Sequence, residues 1–491
     1  MEKREAPGYP GKGRRIRQWS SIAIVMLIAG IVVGSWTVIS RMANKQPVTG
    51  GKNVATPQNT NKYVYIGYKD VVYKLSERDG SIVWQHALKQ PHKPYRLIGS
   101  SLQVRVENDV VYATVEYAVY ALSSSNGKEL WHYFPTPTKE QLQRGIGSVM
   151  DLFIDRSLVY VSSPDGGIAA LDAHSGIQKW RRILLPNGGP ISAVDGMFYL
   201  QESGPQGNHI LHAIDGATGV ERWRFESPIW GNAGFTPASV VNGIVYSSGN
   251  PLTALDERTG KKLWEQRLPD RSMYFDNFHI INGILYSSTS APSILVGGQE
   301  EPLDHYLVFA FDAKTGKQLW QSPPGYQFLD VAGNSVLLQT VGITKEYSVQ
   351  AVNAQSGTQS WKITLIVSPC NAGEFCFSPQ VYIVEQQLYV LDGKQPRTLQ
   401  VFDLRNGKRL AQRPISLPEK EGIGPGVPDN GTLYIRTQVH EGGAYVSGSS
   451  NTFWHYVIYA IRFTDGSVIW KYEIGSLREY QEPISQMLVA S

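Results

Sequence analysis

Leu307-Val-Phe-Ala-Phe-Asp-Ala-Lys-Thr-Gly-Lys-Gln-Leu-Trp320 decides how this chain folds. An apolar run leads to Asp312, a polar stretch and Gly316 follow, and Trp320 stands four residues past the glycine. An apolar run of this length, rich in β-branched and aromatic residues and bounded by turn residues, reads as a strand covered on both faces. Asp312 can accept from nearby backbone N–H groups and start a turn, and Gly316 supplies a positive φ without a Cβ to clash. The stretch therefore predicts two antiparallel strands joined by a tight hairpin, with the indole on the second.

The same pattern recurs along the chain at Gly80/Trp84, Gly127/Trp131, Gly176/Trp180, Gly219/Trp223, Gly260/Trp264, Gly316/Trp320, Gly357/Trp361 and Gly466/Trp470. A ninth copy, Gly407/Ala411, keeps the glycine and lacks the ring. The glycines are spaced on average about 48 residues apart, the scale of a repeat architecture. Alanine stands six residues before the glycine in most copies, as in Ala121, Ala170, Ala213, Ala254, Ala310, Ala351 and Ala460; copy one has Lys74 there and copy eight Val401. A further strand precedes each hairpin, as at 158–162, 244–248 and 284–288. The reading is three or four antiparallel strands per repeat, and such sheets arranged around an axis make a β-propeller. A large Trp at a fixed offset from a small Ala predicts that each ring covers the gap left by an alanine of a neighbouring blade. The eight rings are thus core packing, and no stacking platform for nucleic acid or sugar.

The consensus Ala-Φ-Asp-x-x-Thr-Gly-x-x-x-Trp, with Φ apolar, resembles the repeat of the pyrroloquinoline-quinone (PQQ)-like propellers over roughly residues 61–475. That superfamily holds the quinoprotein alcohol dehydrogenases and also the propeller lipoprotein of the outer-membrane β-barrel assembly machine. The resemblance implies an all-β propeller of four-stranded antiparallel blades. The family's usual ring has eight blades, and eight is the expectation here, with one of the nine hairpins overhanging the ring. A quinone-dependent dehydrogenase of this fold would carry an adjacent Cys-Cys pair against its cofactor, carboxylates for calcium or a lanthanide, and a catalytic Asp. The only cysteines here are Cys370 and Cys376, and the repeat Asp residues already serve turns. The non-enzymatic branch is therefore the better likeness. No cofactor is expected, and no catalytic, cofactor-binding or metal residue is assigned; a PQQ-dependent enzyme or small-ligand sensor using the central funnel is the alternative.

Other signatures of chemistry are sparse in the chain. No Gly-x-Ser-x-Gly elbow, phosphate-binding loop, His-Glu-x-x-His or EF-hand pattern occurs. His209 and His212 lie three apart in a strand, so they point to opposite faces and do not share a metal. Glu300, Glu301 and Asp304 fall in a long polar loop where solvation suffices. Cys370 and Cys376, close together in a Pro/Gly-containing loop of an exported domain, predict a disulfide.

Residues 19–40 form an uncharged, apolar 22-mer with Trp19 and Trp36 near its ends, long enough to span a bilayer as one helix. It is longer than the apolar core of a cleaved signal peptide. Lys3, Arg4, Lys12, Arg14, Arg15 and Arg17 precede it, which places residues 1–18 in the cytoplasm. Residues 1–41 carry seven Lys/Arg against two Glu, so the chain's net +4 leaves −1 for the remainder and no electrostatic case for nucleic acid. No cysteine follows the apolar segment, so the lipid attachment of the assembly lipoprotein does not carry over. A polar linker, 41–60, then leads to a propeller over 61–491. The expected localisation is the cell membrane, single-pass, with the propeller extracytoplasmic.

With strands labelled A to D and the Gly turn joining C to D, the long connections all fall on one rim: 135–147, 202–208, 291–305, 370–376 and 440–452. Long loops on a rigid scaffold usually carry binding, so an unknown protein or envelope partner is expected on that rim. The tether is expected to enter strand B of the first repeat from the opposite, short-turn rim. Protease added to intact spheroplasts is expected to degrade the propeller; protection until lysis would overturn this topology.

Overall fold

The computed structural model describes residues 62–89, 102–115, 118–135, 152–162, 167–183, 191–203, 208–227, 238–270, 273–290, 306–341, 346–366, 379–392, 397–418, 421–441, 453–478 and 487–490. Their regular structure is all β, in nine four-stranded sheets. Blades 2 to 9 take their four strands in chain order, from 103–133 in blade 2 to 421–478 in blade 9. Blade 1 combines Tyr63–Tyr68, Val71–Ser76 and Ile82–Ala87 with Leu488–Ala490, which pairs antiparallel with the first of these. Tyr63–Tyr68 is therefore strand B, entered from the short-turn rim as expected, and the far end of the chain supplies strand A.

Nine blades replace the expected eight. No hairpin overhangs, because each of the nine Gly turns owns a complete set of four strands once Leu488–Ala490 has joined blade 1. The antiparallel meander puts the A–B and Gly turns on one rim. In blades 2 to 9 every A–B turn is two residues long, and several open on a residue with positive φ, such as Arg156, Asp195, Asn242 and Asn282. The 19–40 segment, Cys370 and Cys376, and the long connections 291–305 and 370–376 lie outside the described residues, as do most of 135–147, 202–208 and 440–452. Among the described residues, no helix is long and apolar enough to cross a membrane.

The repeat turn is held as its residues suggest. Asp312 Oδ1 accepts from Thr315 N at 2.8 Å and from Thr315 Oγ1 at 2.7 Å. Gly316 N donates to Asp312 O at 2.8 Å. Equivalent bonds recur at Asp172, Asp215, Asp256 and Asn353. The accepted bonds hold the carboxyls of these aspartates low: Asp172 falls to about 2, first through Ser175, and Asp215 to about 2, first through Arg222. The chain then bulges in every blade. Ala254 pairs with Trp264 and Leu255 with Lys262, leaving Leu263 as the extra residue of the outer strand. A bulge of this kind kinks one strand and re-aims a side chain.

Each indole leaves its own blade for the next. Trp264 Nε1 donates to Ala313 O at 3.0 Å, a residue in the following blade's turn. A Cβ on Gly316 of that turn would sit 2.6 Å from the ring, and its φ is +73°, so glycine is required there twice over. The same pair of contacts closes the junctions of Trp84, Trp131, Trp180, Trp223, Trp320, Trp361 and Trp470. Trp470 reaches Glu77 O at 2.7 Å and so closes the ring from blade 9 to blade 1.

The alanines do a different job from the one expected. Each faces the Trp of its own blade across the C–D pair, as Ala310 faces Trp320 and Ala460 faces Trp470. On its other side stands a strand-B tyrosine, as Tyr286 faces Ala310. The small central residue lets the two rings meet over it, with Tyr286 and Trp320 centroids 6.0 Å apart and Tyr246 and Trp264 5.9 Å apart. The gap on the neighbouring blade belongs to its turn glycine.

The two departing copies are compensated. Lys74, at the alanine position of blade 1, is 4% exposed. Its Nζ donates to Ser124 O at 2.7 Å, the carbonyl that also receives Trp84 Nε1, and lies 3.6 Å from the Tyr63 ring centroid. At the Ala411 junction Arg413 Nη1 donates to Phe463 O at 2.7 Å, taking over the bond an indole makes elsewhere. Phe463 fills the space, its ring 4.3 Å from that of Tyr389, in a cluster with Tyr382, Ile415 and Ile461. The space that an indole fills at the other junctions is thus occupied from the other side.

The core lies between blades, as nine apolar clusters at nine junctions. Trp264→Ala is expected to cost about 3–5 kcal/mol, as is Phe463→Ala, in reversible urea unfolding. Ala411→Trp is expected to destabilise, because Phe463 already holds that volume; a gain in stability would contradict the compensated junction.

Candidate functional site: the loop rim and its polar cleft

A small cleft lies between blades 4 and 5 on the described part of the long-loop rim. Its cavity is about 20 Å³, enough for a water molecule or the end of one side chain. Strand B of blade 4 contributes Gln201, strand C His209 and Ile210, and strand D Phe225. Ser247, Asn250 and Pro251 of blade 5 form the facing wall.

That wall is fixed from behind. Asn250 is 5% exposed; its Oδ1 accepts from Leu268 N at 3.0 Å and its Nδ2 donates to Met273 O at 3.0 Å. Gly249 exchanges two backbone bonds of 3.0 Å with Phe275 of blade 6. On the opposite wall Gln201 is 3% exposed, and its Nε2 donates to Ser247 Oγ at 3.2 Å. Among the described residues, no Asp, Glu, Lys or Arg lines the cleft. Burial pulls the His209 imidazole down from its ordinary 6.5 to about 4, so the ring is neutral near pH 7.

His212 looks elsewhere, as strand alternation requires. Its Nδ1 lies 2.7 Å from Glu221 Oε2 and its Nε2 3.1 Å from Glu202 Oε2. Glu221 also lies 3.8 Å from Arg182 of blade 3, so the cluster reads as a polar tie between blades. The described residues hold no group of three or more His, Cys, Asp or Glu placed to bind a metal. A second buried polar group spans blades 8 and 9: Glu421 accepts from Thr437 at 2.6 Å and Tyr459 at 2.9 Å, while Arg397 donates to the Glu421 carbonyl.

Every repeat Trp named from the sequence is therefore at a blade junction, and the repeat aspartates are in turns. Glu300, Glu301 and Asp304 lie outside the described residues. Sequence reasoning missed Gln201, Ser247 and Asn250, which come from different blades and share no motif. It also missed the strand-B tyrosines, although Tyr160, Tyr246 and Tyr286 sit at one position within the strands it located.

Comparison with known proteins then places the chain. The PQQ_2 family, described as outer membrane protein assembly factor BamB, matches residues 45–225 and 248–490. The chain belongs to this family. One relative is the outer membrane protein assembly factor BamB of Burkholderia pseudomallei, 26% identical over 299 residues, 56% of this chain and 66% of the relative. The BamB of Moranella endobia is 24% identical over 277 residues, again 66% of the relative. These matches span just under two thirds of the relatives' own length. The quinohemoprotein alcohol dehydrogenase of Comamonas testosteroni is 32% identical over 151 residues, 27% of this chain and 19% of that enzyme. The crystal structure of BamB from Moraxella catarrhalis aligns with a TM-score of 0.45 at 16% identity, covering 68% of this chain and 92% of that one.

The buried histidines give the fold a pH signature. Burial also lowers His279 to about 4; its ring stacks on Phe328 at 4.5 Å. Both imidazoles protonate more readily in the unfolded chain, so stability is expected to fall as pH drops from about 6.5 through about 4. Urea midpoints measured across that window should decline less in a His209→Gln/His279→Phe variant than in the parent.

Proposed function

We propose that this chain is a membrane-anchored, extracytoplasmic propeller that binds a protein partner of the cell envelope through its long-loop rim, as a scaffold without catalysis. Residues 19–40 are the single anchor, 1–18 the cytoplasmic tail, 41–60 the linker and 61–491 the displayed propeller. The observation that carries the reading is where the repeat residues are used. The indoles, turn glycines and repeat aspartates serve blade junctions and turns on the short-turn side, which leaves the variable connections of the other rim as the part free to differ. Family membership supports it, since the relatives are named for assembly of outer membrane proteins. The partner is accordingly read as a polypeptide of an envelope assembly process, with no nucleic acid involved.

The short quinohemoprotein match favours a second reading, a small-ligand propeller using PQQ. It lacks the adjacent cysteines of that branch, since Cys370 and Cys376 are five residues apart in between. Shortening 291–305 and 440–452 is expected to abolish co-purification of the partner from native membranes while leaving the melting curve unchanged. Capture that survives both deletions, but is lost on adding charge at the Gly-turn rim, overturns the face assignment. A stoichiometric rise in melting temperature with PQQ and calcium overturns the scaffold reading.

A further inference from the structure

A polar relay runs along the junction of blades 3 and 4 from one rim toward the other. At its short-turn end Arg182 Nη1 donates to Gly219 O at 3.1 Å, and Arg182 Nη2 lies 3.8 Å from Glu221 Oε2. Glu221 Oε2 is 2.7 Å from His212 Nδ1, and His212 Nε2 is 3.1 Å from Glu202 Oε2. Glu202 is the penultimate residue of strand B of blade 4, Met197–Ser203, where that strand reaches the long-loop rim. Where the chain returns, Asn208 Nδ2 donates to Glu226 Oε2 at 3.3 Å. Both ends of this rim connection are therefore held by side chains of blade 4.

The imidazole is the member of the relay whose bonding changes with a proton. A neutral ring has one N–H and one lone pair, whereas an imidazolium has two N–H groups. Each ring nitrogen of His212 has a carboxylate oxygen within hydrogen-bond distance, so only the imidazolium donates to both. In the neutral ring a lone pair faces one of the two carboxylates. The side chains of His212 and Glu202 are 12% and 10% exposed, so water screens this contact little. The other charges on this face are Arg182 of blade 3, spent on Gly219 and Glu221, and Arg224, the strand-D residue opposite His212, which lies 3.8 Å from Glu226. Arg222, nearer the turn, is bonded to Asp215 at 2.6 Å.

We propose that His212 is a proton-operated clamp at the base of this rim connection. The imidazolium ties Glu202 to Glu221, and through Glu221 to blade 3; the neutral ring releases one of the two carboxylates. Histidine ordinarily changes charge between about pH 5 and pH 8, so the clamp closes as pH falls through that range and opens as it rises. Burial of His209 and His279 acts in the opposite sense and at more acid pH, which separates the two effects. The clamp belongs to the scaffold itself and is tested without the partner.

The full-length protein in detergent is exchanged into deuterated buffer at about pH 8 and at about pH 6. Protection of the amides of 201–203 is read by mass spectrometry against the free-chain rate at the same pH. It is expected to rise about tenfold at the acid condition, as for one hydrogen bond to a charged group. The amides of 387–391, in strand B of blade 8, are the reference and are expected to stay unchanged. In His212→Gln the acid gain is expected to vanish. Glu202→Gln offers an N–H to the lone pair of the neutral ring, so it is expected to remove or invert the pH dependence. That variant also keeps the proposal open to test if His212→Gln folds poorly. Equal protection at the two pH values in the parent, or an unchanged pH dependence in a folded variant, overturns the clamp.

Discussion

The indole N–H of one blade, donated to a turn carbonyl of the next, is the contact on which the ring depends. It combines a directional bond with a large apolar surface. The bond contributes about 1 kcal/mol, whereas burial of the ring accounts for most of the several kcal/mol lost on truncation. The bond selects the ring's orientation, and the ring provides most of the energy. Glycine is then forced at the receiving turn, because the indole lies where a Cβ would be. One interaction thus accounts for two of the three residues by which the repeat is recognised. The third, alanine, follows from the need for Tyr and Trp to meet over a small residue.

The junction without an indole shows which part of this contact is indispensable. At Ala411 the bond to the turn carbonyl is retained by Arg413, and the lost volume returns as Phe463 from the receiving blade. Donor and bulk, united in tryptophan, are there divided between two residues on opposite sides of the seam. Both functions persist although neither residue occupies the tryptophan's position. The ring closure keeps the undivided form: Trp470 and Tyr434 both bond to Glu77, through its carbonyl and its carboxylate respectively, as Trp223 and Tyr199 do to Glu257.

Much of this was legible in the sequence because the repeat is local. Gly316, Asp312 and Trp320 lie within nine residues, and their spacing alone gives the hairpin and its turn. The blade count was also present, as nine glycines, but the family's usual eight was preferred over the count. The resolving fact is non-local, since Leu488–Ala490 completes a sheet begun at Tyr63. The direction of the indoles was likewise hidden. Sequence places Ala310 and Trp320 on facing strands but does not say which face of the sheet meets which neighbour. The cleft was least accessible, because Gln201 and Ser247 become neighbours only when two blades are set side by side.

The bulge beside each tryptophan also bears on how the molecule meets other copies of itself. Every blade ends in an outer strand with an unpaired edge, and a flat apolar edge is a template for sheet extension and aggregation. The extra residue sits in that outer strand, where Val83, Leu130, Leu263, Leu410 and Ile469 are each at least 36% exposed. A bulge increases local twist and interrupts regular pairing, so the edge offers an incoming strand a poor register. The distortion that aims each indole inward therefore also discourages polymerisation outward, and this protection is repeated around the ring wherever the turn is repeated.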